Sequence, residues 1–179
     1  MADEDLHPLL ADPDRYRIGA ESDTLTLDTV ELNREAALRL AQQARRSLHI
    51  VTRDLDPAVY GTPEFDQAVT ELARNSRYAE IRILVKNTEP AVSYGHRLIE
   101  TARRLSTYIQ IRRIHPEHGQ YNEAFLLADR RGVLHRPKAD LYEAQVSFND
   151  PARAQDLYNQ FVAMWDHAEH EPNFRRLHI

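Results

Sequence analysis

The sequence predicts an α/β domain in which helices flank a mixed, mainly parallel sheet. Its 179 residues suit a single domain with one hydrophobic core. Between residues 28 and 114, helical and extended patterns alternate three times, which favours strands joined by parallel crossovers. Beyond residue 120, short extended segments follow one another with a turn between them, so we expect part of the sheet to be antiparallel.

The first half of the chain carries clear helix start signals. Asp28 and Thr29 precede a run with helical spacing, and either side chain can cap a helix there. Thr62 and Pro63 suit the N-cap and the first position of a second helix. The predicted elements of this half are helices over residues 29–46, 63–75 and 88–105 and strands over residues 47–52, 79–85 and 108–114.

The second half predicts a hairpin and a closing helix. Strands over residues 124–128 and 133–136 enclose Asp129-Arg130-Arg131-Gly132, where the glycine suits a tight turn. A strand over residues 144–148 precedes the helix start Asn149-Asp150-Pro151. The apolar stripe of the closing helix consists of Leu157, Phe161, Met164 and Trp165.

The chain divides into three predicted regions. These are an acidic N-terminal arm over residues 1–27, the α/β domain over residues 28–168 and a C-terminal tail over residues 169–179. The chain has no cysteine, which excludes a disulfide framework and thiolate metal sites. No apolar run approaches the roughly 20 residues that span a bilayer, and the first five residues lack a basic and apolar leader. We therefore expect a cytoplasmic protein without a membrane span.

The charge of the chain is unevenly distributed. The formal net charge is −5, yet residues 97–138 hold nine Lys and Arg against four Asp and Glu, a difference of +5. Such a basic segment can contact the phosphates of a nucleic acid or an acidic protein. Solvated helix and strand surfaces give the same pattern, and charge runs usually have that origin.

The segment Asn122-Glu123-Ala124-Phe125-Leu126-Leu127-Ala128-Asp129 carries a family resemblance. With strands that end at Arg53 and at Lys86, and with Asn149 before the closing helix, the predicted domain resembles one repeat of the phospholipase D-like superfamily. It is similar to bacterial proteins that consist of a single such repeat. The resemblance implies a strand with the signature His-x-Lys-x-x-x-x-Asp, in which only the aspartate keeps its place here.

The degenerate signature argues against catalysis. The resemblance places Asn122 at the histidine, Ala124 at the lysine and Asp129 at the aspartate position. In active members the histidine attacks a phosphodiester, the lysine holds phosphate oxygens and the aspartate orients a histidine. An amide cannot act as this nucleophile or exchange a proton near neutral pH, and alanine offers no charge. We therefore expect no phosphodiesterase activity, with Asp129 kept as a turn residue and Asn149 as part of a pocket floor.

Five cations near the predicted strand ends form a candidate anion-binding set. They are Arg53, Lys86, Arg112, Arg113 and Arg136. Open α/β sheets gather ligands at the carboxyl ends of their strands, so a phosphate is the expected ligand class. Arginines that are merely exposed on strands are the alternative interpretation.

Histidines and carboxylates form two further clusters. His115 and His118 flank Glu117 beside the signature, and residues 166–171 place two histidines at helical i,i+4 spacing from carboxylates. Metal sites usually need three or four converging ligands, and neither segment supplies them alone. A surface loop and a solvated helix end are the favoured interpretations, so the sequence predicts no metal and no cofactor.

The sequence favours a catalytically inactive binding or regulatory domain. A protein partner is the first hypothesis, with an anionic phosphate ligand as an addition, and a homodimer is expected because active relatives pair two repeats. A divergent phosphodiesterase or nuclease that uses His96, His115 or His118 is the first alternative. A nucleic-acid-binding protein that uses residues 97–138 is the second. The missing histidine and lysine weigh against an enzyme without deciding the question.

Overall fold

The structure, a computed structural model, describes residues 6 to 175. Residues 1–5 of the predicted acidic arm and residues 176–179 of the predicted tail lie outside the described residues. The strands are β1 (Leu25–Leu27), β2 (Ser47–Thr52), β3 (Glu80–Val85), β4 (Ile109–Arg113), β5 (Ala124–Ala128), β6 (Gly132–Arg136) and β7 (Ala144–Ser147). The helices are α1 (Pro8–Ala11), α2 (Val30–Gln43), α3 (Pro57–Tyr60), α4 (Pro63–Asn75), α5 (Glu89–Tyr94), α6 (Arg97–Arg104), α7 (Pro151–Trp165) and α8 (Pro172–Arg175), with a 3-10 turn η1 (Pro116–His118).

The seven strands of residues 6 to 175 form one open sheet in the order β1-β7-β6-β5-β2-β3-β4. Strands β2, β3 and β4 are parallel, because helices cross over between them. Strand β5 is antiparallel to β2, and β6, β7 and β1 continue the antiparallel pairing. The predicted α/β class, with a mixed sheet flanked by helices, is confirmed. The expected predominance of parallel pairing is not found, because no α-helix crosses over between the strands that follow β4.

Helices cover both faces of the sheet. On one face, α2, α4 and α6 contribute Leu40, Phe65 and Leu98 to the larger hydrophobic core. On the other face, α7 packs Phe161 and neighbouring apolar residues into a second core with Phe125 of β5. Strands β2 and β5 lie at the centre and are buried along their whole length. These two strands therefore fix the positions of the loops and turns that adjoin them at either end of the sheet.

The N-caps that the sequence predicts are observed, and one predicted helix is divided in two. Thr29 and Thr62 each accept a backbone N–H bond from the residue three positions later, as N-caps do. The expected helix over residues 88–105 is instead α5 and α6. Gly95 between them has a φ of +76°, which ends α5, and the side chain of His96 caps α6.

Both predicted flanking regions pack against the domain where the structure describes them. Strand β1 pairs with β7 and so extends the sheet, and Leu9 and Tyr16 are buried in the larger core. At the other end, Phe174 is buried, and the backbone of Glu169 pairs with that of Arg113. Within residues 6 to 175, no helix combines the length and apolar character that a membrane crossing needs.

The β5–β6 turn uses its glycine differently from the prediction. Asp129 and Arg130 have positive φ values of 53° and 55°, so two non-glycine residues adopt the left-handed conformation of the turn. Gly132 instead allows close packing, because a Cβ atom there would lie 2.5 Å from Cδ2 of Leu40. The turn is thereby held against the end of α2.

Candidate functional site

The predicted site residues divide between two ends of the sheet. The motif edge comprises the ends of β2, β3 and β6 and the start of β5, because β5 runs antiparallel to both β2 and β6. The hairpin edge comprises the starts of β2 and β3, the β5–β6 turn and the end of β7. Arg53, Lys86, Asn122, Ala124 and Arg136 lie at the motif edge. Asp129 and Asn149 lie at the hairpin edge, about 17 Å along β5 from Ala124.

The two signature positions at the motif edge carry no reactive group. Asn122 is exposed, and its backbone carbonyl accepts an N–H bond of 2.8 Å from Ala139. Ala124 is 2 % exposed and pairs with Arg136 across β5 and β6. The methyl group of Ala124 is thus part of the core. Neither position supplies a nucleophile or a cation for phosphate chemistry.

The cations at the motif edge are mostly engaged in holding the fold. Nζ of Lys86 donates a hydrogen bond of 3.0 Å to the carbonyl of Tyr121. Arg136 is buried, donates to the carbonyls of Leu141 and Ala139, and forms an ion pair of 3.5 Å with Asp56. Arg53 is exposed, and no hydrogen bond or ion pair joins its side chain to the rest of the described chain.

The arginine pair of β4 is also engaged. The guanidinium of Arg112 lies 4.1 Å from the ring centre of Trp165 and donates to the carbonyl of the same residue. Arg113 forms an ion pair of 2.6 Å with the carboxylate of Glu169. That hydrogen bond raises the pKa of Arg113 and lowers the pKa of Glu169. The anion-binding role of the five predicted cations stays a prediction, and four of them make internal contacts.

Asp129 binds backbone rather than a catalytic group. Its carboxylate accepts N–H bonds from Arg45 at 2.9 Å, Arg46 at 2.8 Å and Ser47 at 3.0 Å. Its own N–H donates to the carbonyl of Ser47. Asp129 therefore ties the β5–β6 turn to the segment that enters β2, where three consecutive amides would otherwise lack a protein acceptor.

Asn149 lies beside the same turn. The N–H of the next residue, Asp150, donates to the carbonyl of Arg131 at 2.9 Å. Oδ1 of Asn149 is buried and finds no hydrogen-bond partner in the described part of the chain. Asn122 and Asn149 thus lie at opposite ends of the sheet. The role of Asn149 as part of a pocket floor stays a prediction.

A groove at the hairpin edge gathers arginines that sequence reasoning did not bring together. It has a volume of about 1330 Å³ and is lined by Arg17, Arg45, Arg46 and Arg131, together with Asp14, Glu71 and Asp129. We call it the arginine groove. All four arginines are exposed, and no carboxylate of the described residues forms an ion pair with them. Nε of Arg17 donates to the carbonyl of Asp14 at 3.1 Å, and backbone amides occupy the carboxylate of Asp129. The charges of the four arginines are therefore not neutralised by a carboxylate of the described residues.

The fold explains why these arginines meet. Arg45 and Arg46 connect α2 to β2, and Arg131 closes the turn that Asp129 fixes against them. The side chain of Gln43 accepts from the N–H of Ile18 and donates to the carbonyl of Tyr16, which holds Arg17 over the end of α2. The Arg45-Arg46 pair directly before a central strand was the available signal in the sequence.

The basic segment 97–138 does not form one surface. Arg103 donates to the carbonyls of Asn173 and Phe174, Arg130 packs 4.0 Å from the ring centre of Tyr158, and Arg136 is buried. Only part of the segment, around Arg131, reaches the arginine groove. Basic residues that are close in sequence are therefore separated by the sheet.

The histidines proposed as substitute nucleophiles differ in their surroundings. Nδ1 of His96 accepts from the N–H of Leu98, and Nε2 contacts the carbonyl of Leu55 at 2.9 Å. Both ring nitrogens are therefore occupied in the neutral form, and burial lowers the pKa of His96. His115 caps η1 through Nδ1. His118 lies within reach of His167, with their ring centres 5.7 Å apart.

Solved structures of phospholipase D family members are similar to this chain in fold. Nuc from Salmonella typhimurium, a phospholipase D family member, is similar at a TM-score of 0.56 and 12% identity, over 82% of this chain and 97% of that one. NucT from Helicobacter pylori is similar at a TM-score of 0.55 and 14% identity, over 84% of this chain and 100% of that one. The chain therefore has a phospholipase D-like fold, as the sequence predicted.

Other comparisons define the family. The chain belongs to the family described as domain of unknown function DUF7931, whose model matches residues 29–177. The archaeal chromatin protein TrmBL2, whose structure shows a novel mode of DNA binding, is similar at a TM-score of 0.62 and 13% identity. That match covers 90% of this chain, which spans 58% of the length of TrmBL2. No curated protein sequence matches the chain.

Replacement of Asp129 tests its role as a backbone clamp. We expect Asp129→Ala to lower the free energy of unfolding by about 2–3 kcal/mol, because charge-assisted bonds are lost and alanine disfavours a positive φ. Asp129→Asn is the matched variant, since it keeps one acceptor oxygen and tolerates the turn, and it should lose clearly less. Urea unfolding measures both, and equal stability of Asp129→Ala and the wild type would contradict the clamp.

The pKa of His96 predicts a pH dependence of stability. A histidine whose folded pKa lies below its unfolded value binds fewer protons when folded, so the free energy of unfolding falls as the pH drops below about 6.5. Burial also lowers the pKa of His49, which acts in the same direction. We expect His96→Asn, which can still cap α6, to lose less stability than the wild type between about pH 7 and about pH 5. Urea unfolding at both pH values measures this, and an unchanged pH dependence would contradict it.

Proposed function

We propose that this domain binds a nucleic acid through the arginine groove and does not cleave phosphodiesters. The observation that carries the proposal is the group of four exposed arginines around one groove of about 1330 Å³. Guanidinium groups match the geometry of phosphate oxygens and keep their charge at any physiological pH. The groove lies at the hairpin edge, away from the motif edge where the superfamily signature falls.

The motif edge supports the non-catalytic part of the proposal. Asn122 and Ala124 supply neither nucleophile nor phosphate-binding cation, and Lys86 and Arg136 make contacts within the protein. His96 has both ring nitrogens occupied. Positioned cations and a nucleophile provide most of the rate in phosphoryl transfer, and the signature positions Asn122 and Ala124 offer neither.

An aromatic residue at the same edge of the sheet as the groove favours a nucleic acid over a free phosphate. Tyr78 is 73% exposed and precedes β3 at the hairpin edge, and the guanidinium of Arg77 lies 4.8 Å from its ring centre. Exposed aromatic rings beside basic grooves stack with bases of single-stranded nucleic acids. A polymer that presents both phosphates and bases can use Tyr78 and the arginines together.

The surface supports a nucleic acid better than the protein partner that the sequence favoured. The largest exposed apolar side chains among the described residues come from four segments of the chain. They are Leu6 and Leu10 at α1, Tyr78 before β3, Tyr94 at the end of α5 and Leu141 between β6 and β7. A protein interface usually has a contiguous apolar centre. The similar chromatin protein TrmBL2 binds DNA, which agrees with this choice. Binding through the groove requires no second copy, so a homodimer is not part of the proposal.

Removal of two groove charges tests the proposal. We expect the wild type to bind a short single-stranded DNA with an affinity that falls steeply with salt. The double variant Arg45→Gln/Arg46→Gln should bind more weakly, and the slope of log K against log salt should flatten by about 1.4, or about 0.7 per lost phosphate contact. Fluorescence anisotropy over a salt series measures both quantities.

The motif edge provides the control. The double variant Arg53→Gln/Lys138→Gln removes the same charge from two other exposed residues and should keep wild-type affinity and slope. Equal losses of DNA affinity in both double variants would show a non-specific charge effect and would overturn the proposal that the arginine groove binds the nucleic acid. Binding to an acidic protein but to no nucleic acid at low salt would favour the protein hypothesis. Turnover of a generic phosphodiester by the purified protein would contradict the non-catalytic part.

A further inference from the structure

Two segments that are weak as metal motifs in the sequence converge in the structure. His118 ends the 3-10 turn η1 between β4 and β5, and His167 follows the end of α7. Together with Glu117, they form a group whose ligand atoms all lie within 4.8 Å of one another. The two imidazole rings are 5.7 Å apart at their centres and inclined by 27°. Each segment alone offered too few ligands, and the fold combines them.

One ring nitrogen of the group lacks a hydrogen-bond partner among the described residues, and a ligand could occupy it. Nε2 of His118 is buried, and no described residue forms a hydrogen bond with it. Buried polar nitrogens normally have a partner, so an isolated one calls for an explanation. A cation bound at this lone pair provides one, since neutral imidazole is the commonest nitrogen ligand of metals in proteins.

The surrounding contacts hold the two segments in place. Nδ1 of His115 accepts from the N–H of Glu117, and the carbonyl of His118 accepts from the N–H of Tyr121. The hydroxyl of Tyr121 donates to Gln160 of α7, which joins the η1 segment to the helix that precedes His167. Ligands on anchored segments lose little entropy when they bind an ion.

The ligand set decides the class of metal. Two imidazoles and one carboxylate suit zinc and similar transition metals, whereas calcium and magnesium prefer oxygen ligands throughout. Ligands about 2.0–2.1 Å from a tetrahedral ion are about 3.4 Å from one another, so the group needs a contraction of little more than 1 Å. Glu117 and His167 are exposed and can make that movement by side-chain rotation.

We propose that Glu117, His118 and His167 bind one divalent transition metal ion of the zinc class. Three protein ligands leave the fourth tetrahedral position to solvent or to an oxygen ligand. The ion joins the end of α7 to the β4–β5 connection. This site is independent of the arginine groove, which lies at the hairpin edge, so either proposal can fail without the other.

Zinc titration of the full chain by calorimetry tests the site. We expect binding of one zinc ion per chain and a rise in the melting temperature when zinc is added, because the ion binds only the folded state. His118→Ala and His167→Ala should each weaken zinc binding by at least about 100-fold, since loss of a second-shell partner alone costs about 10- to 100-fold. Glu117→Gln should weaken it as well.

A neighbouring histidine supplies the matched control. His170→Ala removes an imidazole from the same C-terminal segment but not from the group, and it should keep wild-type zinc affinity. His167 is exposed, so its variant should fold normally even if His118→Ala does not, and circular dichroism checks both. Absence of zinc binding at millimolar zinc would overturn the proposal. So would zinc binding that persists in His167→Ala or that is lost equally in His170→Ala.

Discussion

The clamp between Asp129 and the start of β2 is the interaction on which the rest of the structure depends. Strand β2 is parallel to β3 and antiparallel to β5, so the β2–β5 pair joins the parallel and antiparallel halves of the sheet. The residues of β5 are buried on both faces. A shift of register by one residue would move Leu126 and Phe125 to the wrong cores. Hydrogen bonds from three backbone amides to the carboxylate of Asp129 fix that register at the end of the strand.

The same clamp relates the surviving signature residue to the proposed binding surface. Asp129 holds Arg45 and Arg46 by their amides, so their side chains border the arginine groove together with Arg131. At the other end of β5, Ala124 is buried in the core. A charged side chain at this position would have to be buried, which is energetically costly. Asp129, the one signature residue that the chain keeps, therefore serves the fold at the hairpin edge.

Local signals in the sequence predicted local structure well. Thr29, Thr62 and Pro63 predicted the helix starts because capping depends on residues within one turn. The prediction that parallel pairing predominates was wrong, because the neighbours of β5 depend on connections and packing across the whole chain. Likewise, the meeting of Arg17 with Arg131, or of His118 with His167, requires the register of distant strands. Contacts of this kind lie beyond what spacing along the chain can predict.

Amide chemical-shift mapping by NMR during titration with a short single-stranded DNA tests the central claim most directly, because it reports both edges of the sheet in one experiment. The account predicts that the largest shifts cluster around the arginine groove and Tyr78, at residues such as Arg45, Arg46 and Arg131. Shifts that cluster instead around Arg53 and Asn122 at the motif edge would contradict it, and so would the absence of any shift at low salt.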